Sequence, residues 1–226
     1  EFTSIAQVFA PSISKIVLGR FLSRINSQYA ASKIMMQPFL LEDDTFFCQH
    51  LLASKTDVAD IQQFRIAKAT GQGLERYLKN VSASEEEDNF ARTYLVRNKR
   101  TREIASFFTL KMGLFTIRLD EEYFYTVPAV ELANFAVNSA YREAHPEVSL
   151  LGKNTFHSFV LPLVDYARSF VGAKALYIYA LPQDRLIQHY MEMGFERLGE
   201  DEEQFVHEHI KPKYDDGCIF MYQMLE

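Results

Sequence analysis

The sequence predicts a mixed α/β or α+β protein built on one central sheet. Strand-like apolar runs and tracts with helical spacing alternate along the chain. The first two strand-like runs are separated only by a turn. The 226 residues are 48% hydrophobic and 14% aromatic, which is enough to bury a full core. We therefore expect one globular domain over residues 51–226, preceded by an N-terminal helical extension over residues 1–50.

The first part of the chain is predicted to be helical. Apolar residues at helical spacing over residues 12–30 predict an amphipathic helix that packs on the body or on a partner. A second tract starts at the N-cap candidate Asp57, breaks around Gly71-Gln72-Gly73 and resumes to Lys79. The stretch over residues 82–89, which contains the acidic run 85–88, is expected to form a solvated loop or a helix start.

Strands dominate the middle of the chain. Residues 91–96 and 103–112 are rich in β-forming residues, and the basic stretch between them reads as a solvated hairpin turn. A further strand over residues 127–137 is followed by a loop over 141–151. A nearly all-apolar, buried helix is then expected from Asn154 to its C′ glycine Gly172, with a kink at Pro162.

The last part predicts strand, helix and two more strands. Residues 175–180 form the strand, and the helix from Asp184 ends at Gly194, where a positive φ suits glycine. The final strands are expected over 195–206 and 217–224. That assignment places His207 and His209 on one face of a strand, but no further Cys/His ligand motif accompanies them, so we expect no metal.

Composition favours some classes of function over others. A formal net charge of -6 argues against a general nucleic-acid or anionic-membrane binder. No apolar run reaches the ~18 to 20 residues of a membrane span. Cys48 and Cys218 lie far apart in apolar surroundings, which is typical of buried, reduced thiols in a cytoplasmic protein. We therefore expect a cytoplasmic protein with neither nucleic acid nor a membrane as its partner.

Two segments carry a resemblance to a known family. The run from Tyr190 to Gly194-Phe195, after the strand at 175–180, resembles the last strand, helix and strand of the GNAT N-acetyltransferase superfamily. Residues 132–137 are similar to the GNAT strand whose end diverges from its neighbour and exposes backbone groups. The resemblance covers about residues 57–225. It implies a central mixed, mostly antiparallel, twisted sheet flanked by helices, and it implies acetyl-CoA as the cofactor.

The resemblance also implies where acetyl-CoA would bind. Its pantetheine arm would pair with the diverging strand, and its pyrophosphate would lie at the next helix start, where amides are unpaired. That helix start departs from the usual Arg/Gln-x-x-Gly-x-Gly/Ala pattern, and Gln183 stands where an asparagine is common. The cofactor-binding residues implied are Phe135, Ala136, Val137, Gly152, Lys153, Asn154, Thr155 and Gln183.

Two catalytic roles follow from the same resemblance. Tyr190 would be the general acid that protonates the departing thiolate. Glu131, four residues before Phe135, would be the general base, and strand alternation would place both on one face if no bulge intervenes. The alternative for Glu131 is that it only solvates the entrance of the strand. His189, next to Tyr190, is expected at an exposed position of the helix.

The sequence therefore predicts transfer of an acetyl group from acetyl-CoA to a primary amine of a small molecule or peptide, by direct attack in a ternary complex. The alternative is a non-catalytic module with the same fold, which would bind coenzyme A or a protein. The amphipathic N-terminal helix could support a homodimer or hold a protein partner.

Overall fold

A computed structural model describes residues 41–120, 123–209 and 217–225. Its centre is an eight-stranded sheet in the order β1-β2-β3-β4-β5-β6-β8-β7, and neighbouring strands are antiparallel except for the parallel pair β5 and β6. This confirms the mixed, mostly antiparallel sheet. The strands are β1 Leu41–Glu42, β2 Phe46–His50, β3 Arg92–Asn98, β4 Ile104–Arg118, β5 Phe124–Val137, β6 Ala175–Ala180, β7 Glu196–Arg197 and β8 Ile219–Met224.

Helices cover both faces of this sheet. A π-helical segment, Phe156–Val160, joins α5 to α6, and short 3-10 turns at Ile61–Gln63 and Ala69–Gly71 lie between α1 and α2. The helices are α1 Asp57–Asp60, α2 Gln72–Asn80, α3 Ser82–Glu87, α4 Ser139–Ala144, α5 Leu151–Thr155, α6 Leu161–Arg168, α7 Asp184–Glu192 and α8 Glu200–His209.

Strand alternation divides the core between the two faces. Leu95 and Val96 are neighbours on β3, yet they belong to different clusters of buried side chains, as period-2 geometry requires. The cluster with Val96 contains the apolar side chains of α5, α6 and α7, and we call this face of the sheet the α7 face. The cluster with Leu95 contains Phe64 and Leu78 from the α1–α2 region, and we call this the α2 face.

Several predicted elements are confirmed. Strands β3 and β4 form an antiparallel hairpin, and β6 occupies residues 175–180. Helix α7 ends before Gly194, which has a φ of +95°, so its left-handed conformation explains why glycine stands there. Cys48 and Cys218 are buried and are not joined in a disulfide, as predicted.

The N-terminal boundary needs a correction. Strands β1 and β2 lie within residues 41–50, and β2 pairs with β3, so these residues are part of the sheet and not of an extension. The amphipathic helix predicted over residues 12–30 lies outside the described residues, and it stays a prediction.

The predicted strand over 195–206 is wrong beyond its first residues. Strand β7 covers only Glu196–Arg197, and α8 begins at Glu200. Four acidic residues fill the first turn of α8, where the positive end of the helix dipole stabilises carboxylates. His207 and His209 therefore lie on a helix and not on a strand.

The long apolar helix differs from its prediction at both ends and in the middle. It begins at Leu151, and it ends at Arg168, four residues before Gly172, which does not have a positive φ. Pro162 lies in the first turn of α6, directly after the π-helical segment. Because proline lacks an amide donor, the expected irregularity takes the form of wider π turns at this point.

The predicted start of the second helical tract is also shifted. Thr56 is the N-cap, and Asp57 is fully buried, with Oδ1 2.8 Å from Nη2 of Arg97 and 2.9 Å from Nε2 of Gln49. Arg97 was expected in a solvated basic turn, yet it is buried at the end of β3 and also pairs with Asp60 at 2.9 Å. This buried ion pair fixes α1 to the β3–β4 hairpin.

Candidate active site

The main feature of the site is a gap that opens between β5 and β6. The two strands pair in parallel only from Ala129–Ala175 to Glu131–Tyr177. Beyond that point β5 pairs with β4 alone and β6 pairs with β8 alone, within the described residues. Residues 132–137 therefore present an edge of β5 that no other described strand covers, as expected for a strand that diverges from its neighbour.

A β-bulge lies inside this open part of β5. Thr109 is paired with Asn134 whereas Leu110 is paired with Leu132, so Ala133 is the extra residue. Val130 and Leu132 belong to the cluster on the α7 face, and after the bulge Phe135 and Val137 pack against that same cluster. Glu131 therefore points to the opposite face from Phe135, and the prediction that they share a face is wrong.

Glu131 is half-buried at the last paired position before the gap. The hydroxyl of Tyr177 donates to its Oε2 at 3.4 Å, and Lys111 is its partner across β4. Burial raises the pKa of the Glu131 carboxyl, and the charge of Lys111 and the Tyr177 hydroxyl offset part of that rise. The carboxylate is consequently a stronger base here than in water.

Gly113 and Tyr177 complete the surroundings of Glu131, and the sequence analysis did not identify either as part of the site. A Cβ built on Gly113 would overlap the Tyr177 hydroxyl and would lie 2.9 Å from two atoms of its ring. Only glycine leaves room for this tyrosine. An isolated glycine in a strand is a signal of such a close approach, and it could have pointed to the pair.

The start of α5 lies next to the open end of β5. A Cβ built on Gly152 would lie 3.6 Å from Cγ2 of Val137 and 3.3 Å from Nε2 of His189. The structure therefore brings together three predicted parts of the cofactor site: the end of β5, the helix start and α7. His189 is half-buried and faces this junction, so the expectation of an exposed position is wrong.

The other residues at this helix start differ in their surroundings. Thr155 is buried, and its Oγ1 lies 2.7 Å from Oγ of Ser106, so its hydroxyl is engaged with β4 and does not face the junction. Asn154 is exposed and Lys153 is half-buried. Leu150, directly before the helix, is exposed and has a φ of 54°, which turns the chain into α5.

Tyr190 and Gln183 lie at different depths of α7. Tyr190 is 4% exposed and packs edge-to-face on Phe195, with 5.6 Å between the ring centroids. Burial raises the pKa of its phenol, so the hydroxyl stays protonated and can donate its proton or a hydrogen bond. Gln183 is the half-buried N-cap of α7, and its side chain makes no capping hydrogen bond.

A mostly antiparallel sheet that opens after one parallel pair, with a helix start beside the opening, has the geometry of the GNAT fold. No family model matches this sequence, and no curated protein matches it. Solved structures do match. A tyrosine-to-phenylalanine mutant of the toxin AtaT is 17% identical, with a TM-score of 0.58 over 85% of this chain and 95% of that one.

Two further structures are similar. A tyrosine-to-phenylalanine mutant of KacT is 15% identical, with a TM-score of 0.56 over 80% of this chain and 95% of that chain. AtaT complexed with acetyl-methionyl-tRNAfMet is 18% identical, with a TM-score of 0.53 over 70% of this chain and 91% of that chain. These likenesses establish the fold, and they confirm the GNAT-like architecture predicted from the sequence.

One prediction is overturned by these structures. The negative net charge was taken to exclude nucleic acid as a partner, whereas AtaT, which has this fold, is complexed with acetyl-methionyl-tRNAfMet. Net charge is an average over the whole surface, but charges act within a Debye length of roughly 8 to 10 Å. A local basic surface can therefore bind nucleic acid on an acidic protein.

None of the described helices is both long and apolar enough to cross a membrane.

Proposed function

We propose that this protein is an acetyl-CoA-dependent N-acetyltransferase whose acceptor amine is carried by an aminoacyl-tRNA. The gap between β5 and β6 is the observation that carries the proposal. A half-open strand edge offers backbone donors and acceptors to an extended ligand, and the pantetheine arm of acetyl-CoA contains two amides that can pair with it.

The residues around the gap fit this ligand. Phe135, Ala136 and Val137 supply the strand edge, and Gly152 leaves beside it a space that a Cβ would fill. Lys153 and Asn154 follow Gly152 at the helix start, where free amides favour a phosphate. Acetyl-CoA would supply an activated acetyl thioester. Thr155 is omitted from this set because its hydroxyl is bound to Ser106.

The two catalytic roles fit the two environments. Glu131 would accept the proton that the amine loses on attack, since burial makes its carboxylate more basic. Tyr190 would give its proton to the departing sulfur, since its phenol stays protonated at neutral pH. An acceptor that reaches Glu131 must approach from the α2 face, because the bulge at Ala133 turns this side chain away from the α7 face.

The acceptor assignment is supported by a basic surface near α2, formed by Arg65, Lys68 and Arg76, which we call the α2 basic surface. A cavity of about 400 Å³ lies there; its lining includes Arg65, Arg76 and Glu75, and the Glu75 carboxylate pairs with Lys79 at 2.7 Å. Arg65 pairs with Glu143 at 2.8 Å, whereas Lys68 and Arg76 are exposed and have no acidic partner among the described residues. Such side chains are suited to the phosphates of a tRNA acceptor end.

The test is transfer of radiolabelled acetyl groups from acetyl-CoA to a set of aminoacyl-tRNAs. Uncharged tRNA and free amino acids serve as controls. Label recovered on the amino acid after alkaline deacylation would support the proposal. Binding of coenzyme A without transfer to any acceptor would instead support the non-catalytic module, and the absence of coenzyme A binding would exclude the transferase and leave only a module that binds a protein.

A further inference from the structure

We infer that His189 binds a phosphate of the nucleotide part of coenzyme A, an inference that rests on the proposed function. His189 and Tyr190 are consecutive on α7, so their side chains leave the helix about 100° apart. Tyr190 enters the core, and His189 turns toward the start of α5. The two neighbouring side chains of α7 therefore lie in different surroundings, Tyr190 in the core and His189 at the start of α5.

The imidazole faces the junction with a free nitrogen. Its Nε2 lies 3.3 Å from the Cβ position of Gly152, and His189 makes no hydrogen bond with any described residue. The wall on the other side is the apolar side chain of Val137. A half-buried imidazole nitrogen in this position can donate to a ligand that lies between β5 and α5.

The chemistry of the junction selects an anion. The polar groups at the junction are the imidazole of His189 and the backbone amides at the helix start, and both can donate hydrogen bonds. The pantetheine arm is neutral, whereas the phosphates of coenzyme A are the anionic groups of the same molecule. Hydrogen bonds to an ionised acceptor such as a phosphate are shorter and stronger than those between neutral groups.

Gly152 keeps this space open. A Cβ 3.3 Å from the imidazole nitrogen is tighter than ordinary contact, so alanine at this position would push His189 away from the helix start. His189 would therefore contact the phosphate, and Gly152 would leave room for it.

Binding of two probes separates phosphate recognition from packing. We expect His189→Gln to raise the Kd of coenzyme A about tenfold, because glutamine cannot place a donor where the imidazole Nε2 lies, and to leave the Kd of phosphate-free pantetheine unchanged. Isothermal titration calorimetry with both ligands measures this. His157→Gln is the matched control, since His157 is exposed on the same run of helical turns as Gly152 and should change neither Kd.

A second variant protects the test against a folding defect. Gly152→Ala should also weaken coenzyme A binding, and the loss in the double variant should be smaller than the sum of the two single losses because both changes act on one contact. Equal losses for coenzyme A and pantetheine would overturn the inference, as would an unchanged Kd for coenzyme A. A wild-type protein that binds no coenzyme A would instead refute the proposed function, and the inference with it.

Discussion

Tyr190 owes its proposed role to being buried and polar at once. A tyrosine that only fills the core would lose little when its hydroxyl is removed, because the ring continues to pack on Phe195. If Tyr190 is the general acid, Tyr190→Phe should lower kcat by roughly 10²- to 10⁴-fold and leave the Kd of coenzyme A nearly unchanged.

Steady-state kinetics together with calorimetry measure both effects of Tyr190→Phe. Tyr123→Phe is the matched control, since Tyr123 is exposed and lies outside the site. A kcat equal to that of the wild type would reduce Tyr190 to a packing residue.

The protonation of Glu131 should make the activity depend on pH. Its pKa is raised by burial, so the carboxylate becomes protonated, and inactive as a base, at a higher pH than an ordinary glutamate. Activity should therefore fall with decreasing pH through this raised pKa. Glu131→Gln should be weakly active at neutral pH and recover partly at high pH, where the free amine is abundant.

Lys111, the neighbour of Glu131, allows an independent test of the direction in which the pKa of Glu131 shifts. Lys111 lowers the pKa of Glu131, so Lys111→Met should move the acid limb of the kcat/KM profile to higher pH. Superimposable profiles for the wild type and Glu131→Gln would show that another group accepts the proton, and Glu131 would then only solvate the strand.

At the level of elements, the sequence predicts best where local rules decide. Gly194 ends α7 because a positive φ is required there, and β6 is a short apolar run between clear breaks. The bulge at Ala133 could not be predicted, because an extra residue leaves no mark in an apolar strand whose two faces are both partly covered. That one residue decides which face Glu131 occupies.

The contact between β4 and β6 is a second case in which packing decides. Gly113→Ala would force the Tyr177 ring out of its place and should lower the free energy of unfolding by about 1 to 3 kcal/mol. Gly73→Ala is the matched control, since Gly73 lies in α2 and no atom is within 4 Å of its Cβ position; this change should raise stability by about 0.4 to 1 kcal/mol.

Urea denaturation of both glycine variants measures these changes. Equal and small effects would contradict the close approach of Tyr177 to β4. Because Tyr177 donates to Glu131, we also expect Gly113→Ala to impair turnover, whereas Gly73→Ala should leave it unchanged.

At the scale of the whole molecule, the sequence predicted the class of fold but misjudged the partner. Strands β3 to β6 and β8 were predicted from apolar periodicity, and the family resemblance implied the diverging pair, whereas β1 and β2 were missed. The distribution of surface charge cannot be predicted in this way, because it depends on which side chains the fold brings together. Arg65 and Arg76 line one cavity near α2, in which the one acidic lining residue, Glu75, pairs with Lys79, while the acidic first turn of α8 belongs to another element.

A charge-reversal experiment tests whether the α2 basic surface holds nucleic acid. Lys68→Glu with Arg76→Glu should lower kcat/KM for aminoacyl-tRNA by about tenfold or more at low salt, while the Kd of coenzyme A stays unchanged. If each side chain neutralises one phosphate, the slope of log kcat/KM against log salt concentration should become shallower by about 2. Lys55→Glu is the control, since Lys55 is exposed on the loop before α1 and does not line the cavity near α2. A double variant with the rate and salt slope of the wild type would show that tRNA approaches the α2 face elsewhere. A loss in Lys55→Glu that is half as large on a logarithmic scale, in proportion to its smaller change in charge, would show that only overall charge matters.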